Sequence, residues 1–537
     1  MSYMNYSRDF NFAGRNPNEQ QITPGLIGSS TPMTGLSEDS MPSPCYYGRS
    51  TMVPNAGGSS MSAIDDCSSG FQSASVSSFP STLPSSASTT INEYPPQPMP
   101  LQSVQLPPPP PDIEPSKVIE ELGEYISNDR DPVVVANSVG LLFSYAVTSA
   151  RSAEICKLMS VSPIILNGLY NLVTNPEIND DTIKSLATAN LTNISKYDEG
   201  RSALLGCNGQ SANEWPSRGV QALLHSLQSH DSNVVIFAIT AIHNLLLDRR
   251  LEVQDIAKRQ IQYADGIKYI VSQLAHQYLH KYEFKVIVLD CLQILAYGNK
   301  DHRLSILKSD GPRLLLRTIT QNFENSPTEE LIETASRVLK SLSVCPANKD
   351  SIIRNDGIEI LTRCIKRDNQ ETLKTCLWTL RNLSDVINNN LRDHSSAVNL
   401  LVERLLCILF EYSEEPCIVT CALGILANLT CNNDHIKEFI CEYRQLNWTG
   451  VDLLLNTIDV ALRDGRDFRV LNAEVLEPGI YTLCHLMNQP HYPKLPIERQ
   501  RVKERFTMDP AFRTLKQWSS SSEELTKAVG KLHSLLI

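Results

Sequence analysis

The sequence predicts an all-α fold: a right-handed superhelical solenoid of stacked helical repeats, preceded by a disordered N-terminal tail. Three observations predict it. Apolar helical strings, each with a small or polar residue near its C-terminal end, recur from Thr188 to Ile537. Between them stand glycine-marked turns that lead into a second apolar helix. Ahead of them, composition changes sharply near Pro115.

Residues 1–117 form the tail. Up to Pro115 they are rich in Ser, Pro, Gly, Asn and Gln and contain no lysine. Such a segment buries too little apolar surface to offset the entropy of ordering it, so disorder is expected. Pro107–Pro111 is a stiff polyproline spacer between tail and body. Within the tail, Asp65–Ser81 reads DDCSSGFQSASVSSFPS, with Ser69, Ser73, Ser77 and Ser81 four residues apart. That spacing suits a kinase that requires a phosphate four residues downstream, each product priming the next site.

Residues 118–537 form the body. Its strings run TANLTNISK (Thr188–Lys196), AITAIHNLLLD (Ala238–Asp248), LDCLQILAYGN (Leu289–Asn299) and SRVLKSLSVCPANK (Ser336–Lys349). TCLWTLRNLSD follows from Thr375, then CALGILANLTCNN (Cys421–Asn433), GIYTLCHLMNQ (Gly479–Gln489) and KAVGKLHSLLI (Lys527–Ile537). Steps of roughly 40–57 residues match the period of armadillo and HEAT repeats. GPRLLLRTI (Gly311–Ile319) and GIEILTRCI (Gly357–Ile365) supply the second helices. Each unit leaves a face uncovered until its neighbour stacks on it, and the third helices then line one long concave groove.

The most informative string is Thr375–Val386. As a helix it sends Leu377, Leu380 and Leu383 into a core and sets Trp378, Arg381, Asn382 and Asp385 on a separate stripe. An aromatic, a cation and an amide on one stripe suit a groove that holds an extended peptide. Asparagine offers a donor and an acceptor to a ligand backbone, and arginine grips carboxylate with two prongs.

Composition excludes several classes. A formal charge of -11 disfavours a general nucleic-acid binder. Fourteen cysteines are spread singly, and without a C-x-x-C pair neither a zinc site nor a disulfide framework is indicated. Cys207, Cys291, Cys345, Cys376 and Cys484 fall in apolar helical patterns and read as buried free thiols of a reducing compartment. No signal sequence opens the chain and no apolar run reaches membrane-spanning length, so a soluble intracellular protein without cofactor is expected. Gly-rich phosphate loops, nucleophile elbows and His-Glu-x-x-His motifs are absent from the sequence, which points away from catalysis.

The strings LDCLQILAYGN, RVLKSLSVCPANK, CLWTLRNLSD and ANLTCNN resemble the middle repeats of β-catenins in order and wording, and Glu120–Val139 resembles their first repeat. The similarity covers about Ile119 to Ile537 and is strongest from Ile236 to Cys441. The chain is identified as a divergent member of the β-catenin family within the armadillo repeats. The tail motif, Ser-Gly-x-x-Ser followed by Ser and Pro-Ser, is similar to that family's phosphodegron. It departs in placing Ser68 where the family has Asp, and the nearest downstream lysine is Lys117.

The resemblance implies a scaffold of Wnt signalling, in cytoplasm and nucleus and at cell junctions. Its partners are TCF/LEF transcription factors, cadherin tails, APC and axin, bound as acidic extended segments and anchored by basic buttons. The first button falls on Arg303 and the second on Lys437. Other matched groove positions are His243, Asn244, Lys340, Trp378, Arg381, Asn382, Asn428 and His485. Glu333 stands at a family tryptophan position, Glu330 and Glu283 where the family is basic, and Cys484 and Gln489 in place of arginines. Charge reversal opposite acidic ligands predicts weaker binding or a narrower partner set.

Leu106–Lys117 occupies the place of the family's α-catenin-binding helix, where proline disfavours a helix, so α-catenin binding is expected to be weak or lost. At the other end Ile537 falls inside what resembles the eighth repeat, which reads as a natural short form or an incomplete array. Two further readings compete. A cadherin-binding adhesion scaffold would use the same groove. An importin-like carrier expects repeated Trp–Asn pairs, and Trp378 with Asn382 is the single such pair in the repeat helices.

Overall fold

The computed structural model describes residues 114–129, 131–149, 151–207, 215–275, 282–324, 328–387, 391–463, 469–489, 491–515 and 522–537. The architecture is an all-α solenoid built on a ladder of nine helices, counted among these residues. They are α1 (Pro132–Thr148), α2 (Asp181–Ser195), α3 (Ser232–Leu246), α4 (Tyr282–Ala296) and α5 (Glu329–Ser343). The ladder continues with α6 (Gln370–Ile387), α7 (Pro416–Thr430), α8 (Arg469–Met487) and α9 (Glu523–Leu536). Each packs on the next, from α1 on α2 to α8 on α9. The eight strings read from the sequence fall at or near the C-terminal halves of α2–α9, and α1 stands ahead of them.

Packing follows from apolar spacing. In α6, Leu377, Leu380 and Leu383 are buried as expected, together with Cys376 and Thr379. Burying a leucine side chain is worth roughly 1.5–3 kcal/mol, so three on one helix hold it firmly against its neighbours. One apolar cluster runs from Ile119 to Leu532, which is how a stack of units shares a single core.

The glycine-marked turns have a physical cause. In Asp310–Gly311 and Asp356–Gly357 the aspartate takes the left-handed backbone (φ 62° and 61°), and the glycine opens the following helix. A Cβ on Gly357 would lie 2.5 Å from the Ile352 carbonyl oxygen, so only glycine permits that approach.

Three expectations need adjustment. Pro115 does not break a helix but opens one, as first residue of Pro115–Asn128; residues 106–113 lie outside the described set. Cys207 sits in an exposed turn after Asp198–Leu204, whereas Cys291, Cys345, Cys376 and Cys484 are buried. A hairpin of two-residue strands, Arg444–Gln445 with Trp448–Thr449, interrupts the helices. Among the described residues no helix is long and apolar enough to cross a membrane.

Candidate functional site

The predicted residues occupy two kinds of place. His243 and Asn244 lie on α3, Lys340 on α5, Trp378, Arg381 and Asn382 on α6, Asn428 on α7 and His485 on α8. Arg303 and Lys437 instead lie on short helices that follow α4 and α7, Lys300–Lys308 and Asp434–Glu442. Both are the fourth residue of an asparagine-capped helix, with Asn299 and Asn433 accepting from the backbone N–H of His302 and Ile436.

That fourth position is basic in two further units, Arg201 in Asp198–Leu204 and Lys349 in Pro346–Arg354. The surroundings separate the four. Arg201 is held by Asp198 and by buried Asp248 at 2.7 Å, and Lys349 by Asp385 of α6 at 2.7 Å. Asp385, placed on the ligand stripe by its spacing, is therefore engaged inside its own unit. Burial raises its carboxyl and Lys349 opposes the shift. Arg303 makes no ion pair among the described residues; its Nη1 donates to the Ala296 carbonyl at 3.3 Å, and its Nε has no partner. Lys437 is 7% exposed and its one acid is the neighbouring, exposed Asp434 at 2.7 Å. The two cations matched to basic buttons are thus the two that no acid from a distant helix neutralises.

On α5–α7 the predicted residues converge. The Lys340 ammonium lies 5.8 Å and the Arg381 guanidinium 5.2 Å from the centre of the half-buried Trp378 ring. Two cations against one indole make a positive platform built on an aromatic ring. Arg381 reaches across α7 because residue 424 is glycine, whose added Cβ would stand 3.0 Å from Arg381 Nε.

The asparagines are partly spoken for. Asn244 donates to Ser195 Oγ (2.9 Å), Asn382 to Ser343 Oγ (3.0 Å) and Asn428 to Ser384 Oγ (2.8 Å). His485 Nδ1 sits 3.0 Å from Thr430 Oγ1. Each rung ties a ladder helix to the one before it, so one donor of each amide holds the array together. The serines were missed in the sequence. Their signal is a hydroxyl two residues after the asparagine position of the preceding string, as in Asn193–Ser195 and Asn382–Ser384.

Acids interrupt the positive face. His243 lies 3.9 Å from Asp290 of α4. Burial lowers the imidazole to about 4 and raises the carboxyl to about 6, so the contact joins a neutral imidazole to a weakened acid. His485 is likewise neutral, lowered to about 4 by burial and by Lys531 and Lys437. Glu333 pairs with Arg337, and Glu330 raises Asp290. Cys484 and Gln489 are buried. Ser69, Ser73, Ser77 and Ser81 lie outside the described residues.

Residues 345–385 match the Armadillo/beta-catenin-like repeat family. Junction plakoglobin of Homo sapiens is 32% identical over 402 residues, covering 75% of this chain and 47% of that protein. Catenin beta of Urechis caupo is 33% identical over 374 residues, 70% of this chain and 40% of that protein. The chain is a divergent member of the β-catenin family. It spans about half the length of the curated relatives it matches (47% of plakoglobin). The Armadillo segment polarity protein of Musca domestica is 30% identical over 375 residues, 69% of this chain and 40% of that protein. A solved structure described as "A conserved phosphorylation switch controls the interaction between cadherin and beta-catenin in vitro and in vivo" superimposes with TM-score 0.58. It is 21% identical, over 77% of this chain and 68% of that one, and agrees on the fold: an armadillo-repeat solenoid.

Proposed function

We propose that this β-catenin relative is a non-catalytic scaffold that holds acidic, extended segments along the ladder face of α3–α8. TCF/LEF factors, cadherin tails, APC and axin are the partner class, α-catenin binding is weak or absent, and the roles are in Wnt signalling and junctions, in cytoplasm and nucleus. The observation that carries the reading is the Lys340–Trp378–Arg381 platform flanked by the two cations without long-range acid partners, Arg303 and Lys437. An acidic segment gains charge-assisted contacts at Arg303 and Lys437 and apolar contact on Trp378 between them. His243, Asn244, Asn382, Asn428 and His485 align the helices that carry this face. Phosphorylation of Ser69, Ser73, Ser77 and Ser81 would set abundance through a ubiquitin ligase.

A second reading, an adhesion scaffold dedicated to cadherin tails, draws on the kinship with junction plakoglobin. One titration tests both. The chain is titrated with a TCF/LEF acidic segment and separately with a cadherin tail, at low and moderate salt, beside Arg303→Glu and Lys437→Glu. Salt-sensitive binding that both variants lose supports the groove, and the tighter ligand selects signalling or adhesion. Binding that neither variant weakens overturns the assignment.

A further inference from the structure

We propose that the turn Glu474–Tyr481 of α8, closed by Glu524 of α9, is a cation subsite. It takes the ammonium or guanidinium of one lysine or arginine carried by the bound segment. The proposal rests on the groove reading above and adds to it: the ligand is acidic over α5–α7 and basic at one position beyond.

The floor of the subsite is Glu477, 7% exposed, whose Oε1 has no hydrogen-bond partner. A buried carboxylate oxygen without a donor is unfavourable, and a charged donor brought by a ligand relieves it. Pro478 interrupts the backbone ladder beside it. It sits inside α8 and has no N–H, so the Glu474 carbonyl lacks the donor that a helix would supply. Glu474 is half-buried and Glu524 keeps 32% of its side chain exposed, so the opening is acidic.

The groups facing Glu477 come from three helices. Arg381 of α6 attracts, Ser522 before α9 donates a hydrogen bond, and Glu524 and Glu474 repel. Lys527 of α9 is engaged by Glu523 at 2.8 Å and Glu524 at 3.3 Å. Burial and Glu524 outweigh the attractions and push the carboxyl up to about 7, so the cations already present leave it undercompensated. A nitrogen cation fits better than a metal ion. It needs a few acceptors facing its N–H bonds, whereas hard metals need six or more oxygens, and no metal-holding group of carboxylates occurs among the described residues.

The test uses the full chain and an acidic cadherin-tail segment in which each position in turn is replaced by lysine. At one register lysine tightens binding about tenfold, the scale of a charge-assisted hydrogen bond. Glu477→Gln, a near-isosteric change that removes the charge, abolishes that gain, so the lysine-substituted and unsubstituted segments bind the variant equally. Carbodiimide coupling then joins that lysine to Glu474, Glu477 or Glu524, read by mass spectrometry. Lysine weakening binding at every register, or a gain that survives Glu477→Gln, overturns the subsite. If the unsubstituted segment fails to bind, the groove reading falls instead. An alanine-rich peptide with a single lysine then decides: coupling at Glu477 keeps the subsite, and its absence overturns it.

Discussion

The ladder face of α5–α7 and that of α8–α9 are built on one plan and carry opposite charge. Both use a stripe along a third helix, joined to its neighbour by an amide or imidazole rung. On α6 the stripe holds Trp378 and Arg381 with Lys340 beside them; on α8 it holds Glu474, Glu477 and Tyr481 with Glu524 beside them. The fold therefore leaves charge free to vary from unit to unit. What distinguishes one unit's face from the next is which cations and acids meet a long-range counter-charge, and this depends on residues far away in sequence.

The comparison breaks first at the two cations without a long-range acid partner. Arg303→Glu or Lys437→Glu puts an acid opposite an acidic ligand and should weaken binding by roughly 3 kcal/mol each, measured by calorimetric titration. Equal weakening by Lys349→Glu would show that the long-range partner does not distinguish these positions. Next in size is Trp378→Ala, expected to cost about 2 kcal/mol of ligand affinity. Tyr263→Ala, at a residue 67% exposed outside the ladder, should cost nothing measurable.

Glu477 sharpens the acidic half. Its carboxyl sits near 7 in the fold against an ordinary 4.5, so the folded chain holds a proton that the unfolded chain releases. Stability then falls as pH rises from about 4.5 to about 7. Glu477→Gln removes the fall: unfolding free energies of variant and parent from urea titration should coincide near pH 4.5 and separate by roughly 1–3 kcal/mol at pH 7 and above. The smallest effect is at a rung. Asn382→Ala loses the bond to Ser343 and should lower stability by about 1 kcal/mol in the same assay.

Much of this was legible in the sequence. Repeat spacing revealed the solenoid because every unit must present the same apolar face to its neighbour, and Leu377, Leu380 and Leu383 are buried as their spacing required. Trp378 and Arg381 were legible because they share one stripe of one helix. Neutralisation was not legible. Arg201 meets Asp248 across 47 residues and Lys349 meets Asp385 across 36, so four cations that look alike in the chain differ in the fold. The surroundings of Glu477 were hidden for the same reason, since Arg381, Ser522 and Glu524 reach it from distant parts of the chain. The asparagines misled in part: an amide suited to a ligand backbone is equally suited to a serine on the next helix.

The most direct measurement is a photo-cross-link from position 378. A benzophenone amino acid replaces Trp378 in the full chain, a cadherin-tail segment is added at saturating concentration, and adducts are mapped after irradiation. A cross-link to the acidic core of the segment, absent when the same group stands at Tyr263, is the predicted result. Saturable binding of the segment with no adduct at 378 would contradict the account.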